Sequence, residues 1–196
     1  MRVRALVVAF GLAAVLGGAC SSDDSTVTSP ADAEIADAPH NDADIAFAQG
    51  MIPHHQQAVE MAQLATDRGE DERVLDLAAR IEAAQAPEIE EMSGWLEAWG
   101  EDVPSGGAHG GEHGGGDTGS GMMTTEEMAS LESAAGADFD RMFLEMMIGH
   151  HDGAIEMADT QAVEGEFPDA VELAQRIMTT QQSEIEEMQA VLADLA

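Results

Sequence analysis

Apolar residues recur every three or four positions through most of the chain, which is the period of an amphipathic α-helix. Four long segments carry this pattern, at residues 42–67, 70–99, 137–162 and 168–195, and a short one lies at 125–134. Strand signals are scarce, because the chain has no tyrosine and only 4% aromatic residues. Helix-favouring Ala, Glu, Leu, Met and Gln dominate instead. The pattern therefore predicts an all-α fold.

The four long segments are two copies of one pattern, 96 residues apart. The block at 47–62 returns at 143–158, and the block at 77–96 returns at 173–192, both without a gap. Each copy predicts a helical hairpin that cannot bury its apolar face alone. We expect the hairpins at 42–100 and 125–196, joined by a Gly- and His-rich linker at 101–124, to form one antiparallel four-helix bundle.

The N-terminal residues have the composition of an export signal. Arg2 and Arg4 precede an apolar run at 5–16 and a small-residue segment that ends at Cys20. The run is shorter than the ~20 residues that a membrane span needs. Cys20 is the single cysteine, and the segment resembles a lipobox, although Leu16 lies one position farther from it than usual. We predict a signal peptide at 1–19, a flexible tether at 20–41 with Cys20 lipidated, and a location on the outer face of the cell membrane. Ordinary secretion, or a periplasmic location, is the alternative.

The chain is strongly acidic, with a net charge of −32. Removal of residues 1–19 leaves five basic residues against 39 acidic ones, a balance of −34. Such a charge repels nucleic acid and anionic lipid and concentrates cations. We therefore predict no nucleic-acid partner and membrane contact only through the lipid anchor.

Each repeat carries a Met-x-x-His-His cluster that core packing does not require. The primary candidate metal ligands are Met51, His54, His55, Met147, His150 and His151. At ~100° per residue these side chains share one face of each helix, which is the face that meets the rest of the bundle. Burying adjacent imidazoles costs free energy unless each finds a partner, and a metal ion would offset that cost. Met61 and Met157 lie seven residues beyond the first histidine, or ~10.5 Å along the axis, so they form a second tier or belong to the core.

The ligand types favour copper. Thioether sulfur is soft and selects Cu(I), whereas imidazole suits both oxidation states of copper and also zinc. The methionine bias and the absence of a second cysteine disfavour zinc. Di-iron bundles use Glu-x-x-His on facing helices. Here Met51 and Met147 take the place of that glutamate, so iron is the less favoured metal.

Other residues are weaker metal candidates. The linker region contributes His109, His113, Met122 and Met123, for which a solvated spacer is the alternative interpretation. Met92 and Met188 lie on the apolar stripes of their helices, where core packing is the stronger interpretation.

Pro53 and Gly149 precede the two histidine pairs inside predicted helices, and both residue types weaken a helix. We interpret them as a local kink that aims the imidazoles. The alternative is that each helix begins there, with Pro53 in its first turn.

The two histidine blocks resemble the signature blocks of the family catalogued as domain of unknown function 305. They read Met-Ile-Pro-His-His-Gln-Gln-Ala-Val-Glu-Met-Ala at 51–62 and Phe-Asp-Arg-Met-Phe-Leu-Glu-Met-Met-Ile-Gly-His-His-Asp-Gly-Ala-Ile-Glu-Met-Ala at 139–158. The resemblance covers residues 41–196 and implies a ferritin-like four-helix bundle. The family includes exported, CopM-type copper-binding proteins, so the resemblance implies metal binding by the Met and His residues named above.

These observations favour an exported protein that sequesters or buffers copper, with Cu(I) preferred and without catalysis. One alternative is a ferritin-like oxidoreductase with a di-iron or copper centre, which Gln85, Glu88, Gln181 and Glu184 would complete. Another is a structural or interaction bundle in which the methionines only pack. The expected partner is a metal ion, and a homo-oligomer or a copper-handling protein are further options. No nucleophile–base arrangement or phosphate loop for hydrolytic catalysis is recognisable.

Overall fold

The computed structural model describes residues 35–104 and 121–195, and that part of the chain contains helices and no strand. The long helices and the short one are α1 (Asp42–Arg68), α2 (Glu72–Trp99), α3 (Thr125–Ser133), α4 (Ala137–Glu164) and α5 (Pro168–Asp194). The predicted signal peptide, Cys20, His109 and His113 lie outside these residues. None of the described helices is both long enough and apolar enough to cross a membrane.

The starts of α1, α2 and α3 follow capping residues of the sequence. Asn41 caps α1, and its side chain accepts hydrogen bonds from the first backbone N–H groups. Thr124 forms a capping box with Glu127 before α3. The second helix starts two residues later than predicted, because Asp71 is its N-cap and accepts from the backbone N–H of Arg73.

Pro53 and Gly149 both lie well inside continuous helices, α1 and α4. The alternative that each helix begins at these residues is therefore wrong. α1 instead begins at Asp42, where Asn41 supplies the cap. The interpretation of Pro53 and Gly149 as a kink stays a prediction.

The hairpins α1–α2 and α4–α5 pack together chiefly through α1 and α4. These two helices are antiparallel, since the Asn41 side-chain amide donates to the carbonyl of Glu164 (2.9 Å) and, at the other end, Gly136 N–H donates to the carbonyl of Arg68 (2.7 Å). Helix α3 packs against α1 and α4. The predicted all-α, antiparallel four-helix bundle is confirmed.

The apolar core consists of two clusters of buried side chains. Core A lies around Met61, Leu77, Phe143, Met147 and Met188. Core B lies around Met51, Met92, Trp95, Leu173 and Ile177. On each long helix a few buried or half-buried polar residues separate the core A positions from the core B positions, so a polar layer crosses the middle of the bundle.

Two buried aspartates, matched by the 96-residue repeat, tie each hairpin to the turn of the other. The carboxylate of Asp140 on α4 accepts from the backbone N–H groups of Glu70 and Asp71, at 2.8 Å for Asp71. The carboxylate of Asp44 on α1 accepts from the backbone N–H groups of residues 166 and 167, at 3.0 Å for the latter. Each carboxylate thus caps the start of the second helix in the opposite hairpin.

Candidate metal site

Four histidines form the centre of the polar layer. The antiparallel packing of α1 and α4 brings His54 level with His150, and their ring centroids lie 3.7 Å apart at 41°. His55 and His151 occupy the next position of each helix, and all four side chains are at most 1% exposed. The two halves of the repeat therefore meet through their histidines in the middle of the bundle.

His150 is a neutral imidazole in this layer. Burial lowers the pKa of the His150 ring well below its ordinary value, and the nearby rings of His54, His151 and His55 lower that pKa further. The His54 backbone has the smallest of these influences and acts in the opposite direction, raising the pKa of His150. Neither ring nitrogen of His150 has a hydrogen-bond partner among the described residues. A neutral, desolvated imidazole with a spare lone pair is the form that binds metal ions.

His55 and His151 each face a carboxylate from the second helix of their own hairpin. The Nε2 atom of His55 lies 2.8 Å from the Oε2 atom of Glu88, and the Nε2 atom of His151 lies 2.8 Å from the Oε2 atom of Glu184. The other ring nitrogen, Nδ1, is buried and unpartnered in both histidines.

His54, His55, His150 and His151 together are called the histidine layer below. The candidate methionines lie on both sides of this layer. Met51 belongs to core B and Met147 to core A. Because the helices are antiparallel and each methionine precedes its histidine by three residues, the two lie ~9 Å apart along the axis. Met51 and Met147 therefore extend the histidine layer in opposite directions.

The second-tier methionines take different positions. Met61 is fully buried in core A, on the same side of the layer as Met147. Met157 is only half-buried and lies beside Gly50 at the α1–α4 groove, near Met51. Met92 and Met188 are fully buried in core B and core A respectively, as core packing predicts.

The segment Gly121–Met123 lies against α1 and α4 beside the histidine layer, and we call it the strap. The amide of the Gln57 side chain accepts from Met123 N–H (2.7 Å) and donates to the Met123 carbonyl (2.9 Å). Gly121 adopts a positive φ of 81°, and a Cβ there would lie 2.4 Å from the carbonyl oxygen of Gly149. The strap therefore places Gly121 next to the turn of α4 that carries His150, and the weaker candidate Met123 next to Gln57 on α1, with Met122 between them in sequence.

Two glutamines complete the polar layer. The side-chain oxygen of Gln85 and that of Gln181 are buried without a hydrogen-bond partner, and the Gln85 nitrogen is unpartnered as well. Within residues 35–104 and 121–195, no group of three or more His, Cys, Asp or Glu side chains is arranged to hold an ion. The layer itself supplies imidazoles, and the thioethers of Met51 and Met147 lie in the apolar clusters on either side of it. Imidazole and thioether are both ligand types that suit copper.

Sequence reasoning named Glu88 and Glu184 only as members of an alternative site, and it missed Asp44 and Asp140 altogether. The 96-residue repeat could have identified these four residues. Glu88 matches Glu184, and Asp44 matches Asp140, at the same 96-residue offset as the histidines.

Comparison with known proteins agrees with this architecture. Residues 44–192 match the family described as domain of unknown function (DUF305). A candidate secreted DUF305 protein from Streptomyces coelicolor, solved by crystallography, is 32% identical with a TM-score of 0.69, over 78% of this chain and 93% of that one. No curated protein matches the chain.

A second similar protein, CopM, has been solved in several metal-bound forms. Its Cu(I)-bound form is 30% identical with a TM-score of 0.64, over 77% of this chain and 96% of that one. Its Cu(II)-bound form is 32% identical with a TM-score of 0.66, over 78% and 97%. Another CopM structure holds silver.

Proposed function

This chain belongs to the DUF305 family, and from that premise we propose that it binds copper, with Cu(I) preferred, and sequesters or buffers it outside the cytoplasm. The observation that carries this proposal is His150, a buried imidazole with two unpartnered nitrogens against the ring of His54. A buried polar atom without a partner costs about 1–3 kcal/mol. A bound ion would offset that cost by accepting the nitrogen lone pair, which an apolar side chain cannot do.

The surrounding side chains support copper over harder metals. Met51 and Met147 supply thioether sulfur on opposite sides of the histidine layer. Thioether sulfur prefers Cu(I), and imidazole accepts either oxidation state. That preference is in line with the Cu(I), Cu(II) and silver forms of CopM. The strongly negative surface would also draw cations towards the protein.

We propose binding without turnover. A di-iron oxidoreductase of the ferritin-like type needs several inward carboxylates that converge with its histidines. In the part of the chain that is described, Glu88 and Glu184 each pair with one histidine instead.

A Cu(I) titration against a competing chelator, under reducing conditions, tests the proposal. We expect the Met51→Leu/Met147→Leu variant to bind Cu(I) at least tenfold more weakly, because leucine keeps the volume but removes the soft donor. Cu(II) affinity should change less. His150→Gln should weaken the binding of both oxidation states.

The matched control is Met92→Leu/Met188→Leu, which makes the same chemical change at equally buried positions of the other two long helices. We expect unchanged Cu(I) affinity in this control. Wild-type Cu(I) affinity in both Met51→Leu/Met147→Leu and His150→Gln would exclude the histidine layer as the site.

We also propose that the protein is an exported lipoprotein, acylated at Cys20. The support is the N-terminal sequence, in which a basic start, an apolar run and small residues precede the single cysteine. Metabolic labelling of the full chain with a fatty acid should mark the wild type and not Cys20→Ser. Equal labelling of both would contradict acylation at this residue.

A further inference from the structure

Two histidines of the layer each pair with a glutamate carboxylate, and the two pairs have the same geometry. Glu88 and His55, and Glu184 and His151, each make one 2.8 Å contact between Oε2 and Nε2. The histidine side chains have no solvent exposure, and the Glu184 side chain is only 9% exposed. The repeat has thus placed the same acceptor on the same ring nitrogen twice.

Opposite an ionised carboxylate, which can only accept a hydrogen bond, an imidazole presents its N–H, and here the nitrogen that faces each carboxylate is Nε2. In a neutral ring this leaves Nδ1 with a free lone pair. The Nδ1 atoms of His55 and His151 are buried and have no partner among the described residues. Nothing in that part of the protein uses the lone pair which the carboxylate has created.

We propose that Glu88 and Glu184 are positioning residues that hold His55 and His151 in the Nε2-protonated tautomer, so that Nδ1 is the metal-binding atom of each ring. This inference rests on the proposed function. Ligating histidines characteristically donate their other N–H to a carboxylate, which fixes the ring orientation and raises the basicity of the ligand. The glutamates themselves need not touch the ion.

The tautomers can be read in the metal-free protein. Long-range ¹H–¹⁵N correlation spectra of the labelled full chain, assigned with His55→Gln and His151→Gln, should show protonated Nε2 and unprotonated Nδ1 in both rings. Nδ1-protonated or doubly protonated rings would overturn the proposal. This measurement involves no copper and therefore does not depend on the proposed function.

Copper affinity supplies the second test. In Glu88→Gln/Glu184→Gln, an amide can donate or accept, so it no longer selects one tautomer. We expect Cu(I) and Cu(II) affinity to fall about 10- to 100-fold. The control is Glu90→Gln/Glu186→Gln, which removes the same charge from exposed positions on the same helices and should leave affinity unchanged.

The outcomes separate the two proposals. A wild-type protein that binds no copper ends the proposed function, whatever its tautomers. Copper binding that is equally strong in the Glu88→Gln/Glu184→Gln variant and its control ends the present inference alone. A purely structural role would lower the melting temperature of the variant without changing tautomer or affinity. If the variant does not fold, the wild-type spectra decide.

Discussion

At His150, burial and its neighbours act in the same direction. The ring is enclosed by the bundle, and the other three histidines of the layer surround it, so a proton there would be both desolvated and repelled. The pKa of His150 is accordingly held well below its ordinary value of 6.5. The neutral state that suits a metal ion is thus maintained by the fold itself.

This lowered pKa predicts that the metal-free protein loses stability in mild acid. The unfolded chain gains a proton at His150 as the pH falls through about 6.5, whereas the folded chain does not, so protons favour unfolding. The contribution is fully present above that pH. Below it the free energy of unfolding should fall by up to about 1.4 kcal/mol per pH unit.

Urea unfolding at pH 7.5 and pH 5.5 measures this effect. Wild type should lose more stability between these values than His150→Gln, even if the variant is less stable at both. The interval stays above the range in which most carboxylates titrate. An equal pH dependence in both proteins would show that His150 does not remain neutral.

At the scale of elements, the strap depends on a glycine, Gly121, in a way that can be tested. Gly121→Ala adds a methyl group at a positive φ, 2.4 Å from the carbonyl oxygen of Gly149. We expect a loss of about 1–3 kcal/mol in the free energy of unfolding, or displacement of the strap. Displacement would remove the hydrogen-exchange protection of the Met123 amide, which donates to Gln57.

Gly94→Ala is the control for this change. Gly94 lies inside α2, and a Cβ there meets nothing within 4 Å. The same methyl group should stabilise the protein by about 0.5–1 kcal/mol, because alanine favours the helix. If Gly121→Ala is as stable as wild type and keeps Met123 protected, the strap is not held at this point.

Helices and their boundaries could be predicted from the sequence because their causes are local. Apolar spacing and the Thr124–Glu127 capping box both act within a few residues. The inward direction of His54 and His55 also follows from helical geometry alone. For such features the sequence and the structure agree closely.

The contacts of the site could not be predicted in the same way, because they depend on how helices far apart in sequence pack together. The level at which α1 crosses α4 sets the His54–His150 contact, and it also divides Met51 from Met147. The contact of Gly121 with Gly149 likewise joins two segments that are far apart in sequence. None of these contacts has a local sequence signal.

At the scale of the whole molecule, the contacts between the hairpins are weakest at the centre of the bundle and are reinforced at its ends. A polar layer interrupts the apolar core where the two halves meet, and α2 makes few contacts with α5. The hairpins are therefore held together largely through α1 and α4, together with the ends at which Asp44 and Asp140 cap the opposite turns. Because these end contacts hold the hairpins together, the histidine layer can keep ring nitrogens that have no hydrogen-bond partner among the described residues.

Removing these carboxylates should loosen the docking of the hairpins from both ends. We expect Asp44→Asn and Asp140→Asn each to lower the free energy of unfolding by about 1–3 kcal/mol, because buried backbone N–H groups lose a charged acceptor and face an amide that can also donate. The two sites lie near opposite ends of α1, which at 27 residues is ~40 Å long. Their effects should therefore add in the double variant to within about 0.5 kcal/mol.

The repeat provides a matched control for this test. Asp42→Asn and Asp138→Asn remove the same charge from exposed positions in the first turns of the same helices, and should cost at most about 1 kcal/mol each through the helix dipole. Urea unfolding of all variants supplies the comparison. Losses no larger than those of the control would mean that burial of Asp44 and Asp140 contributes nothing to docking. Strong coupling between them would mean that the two ends do not act independently.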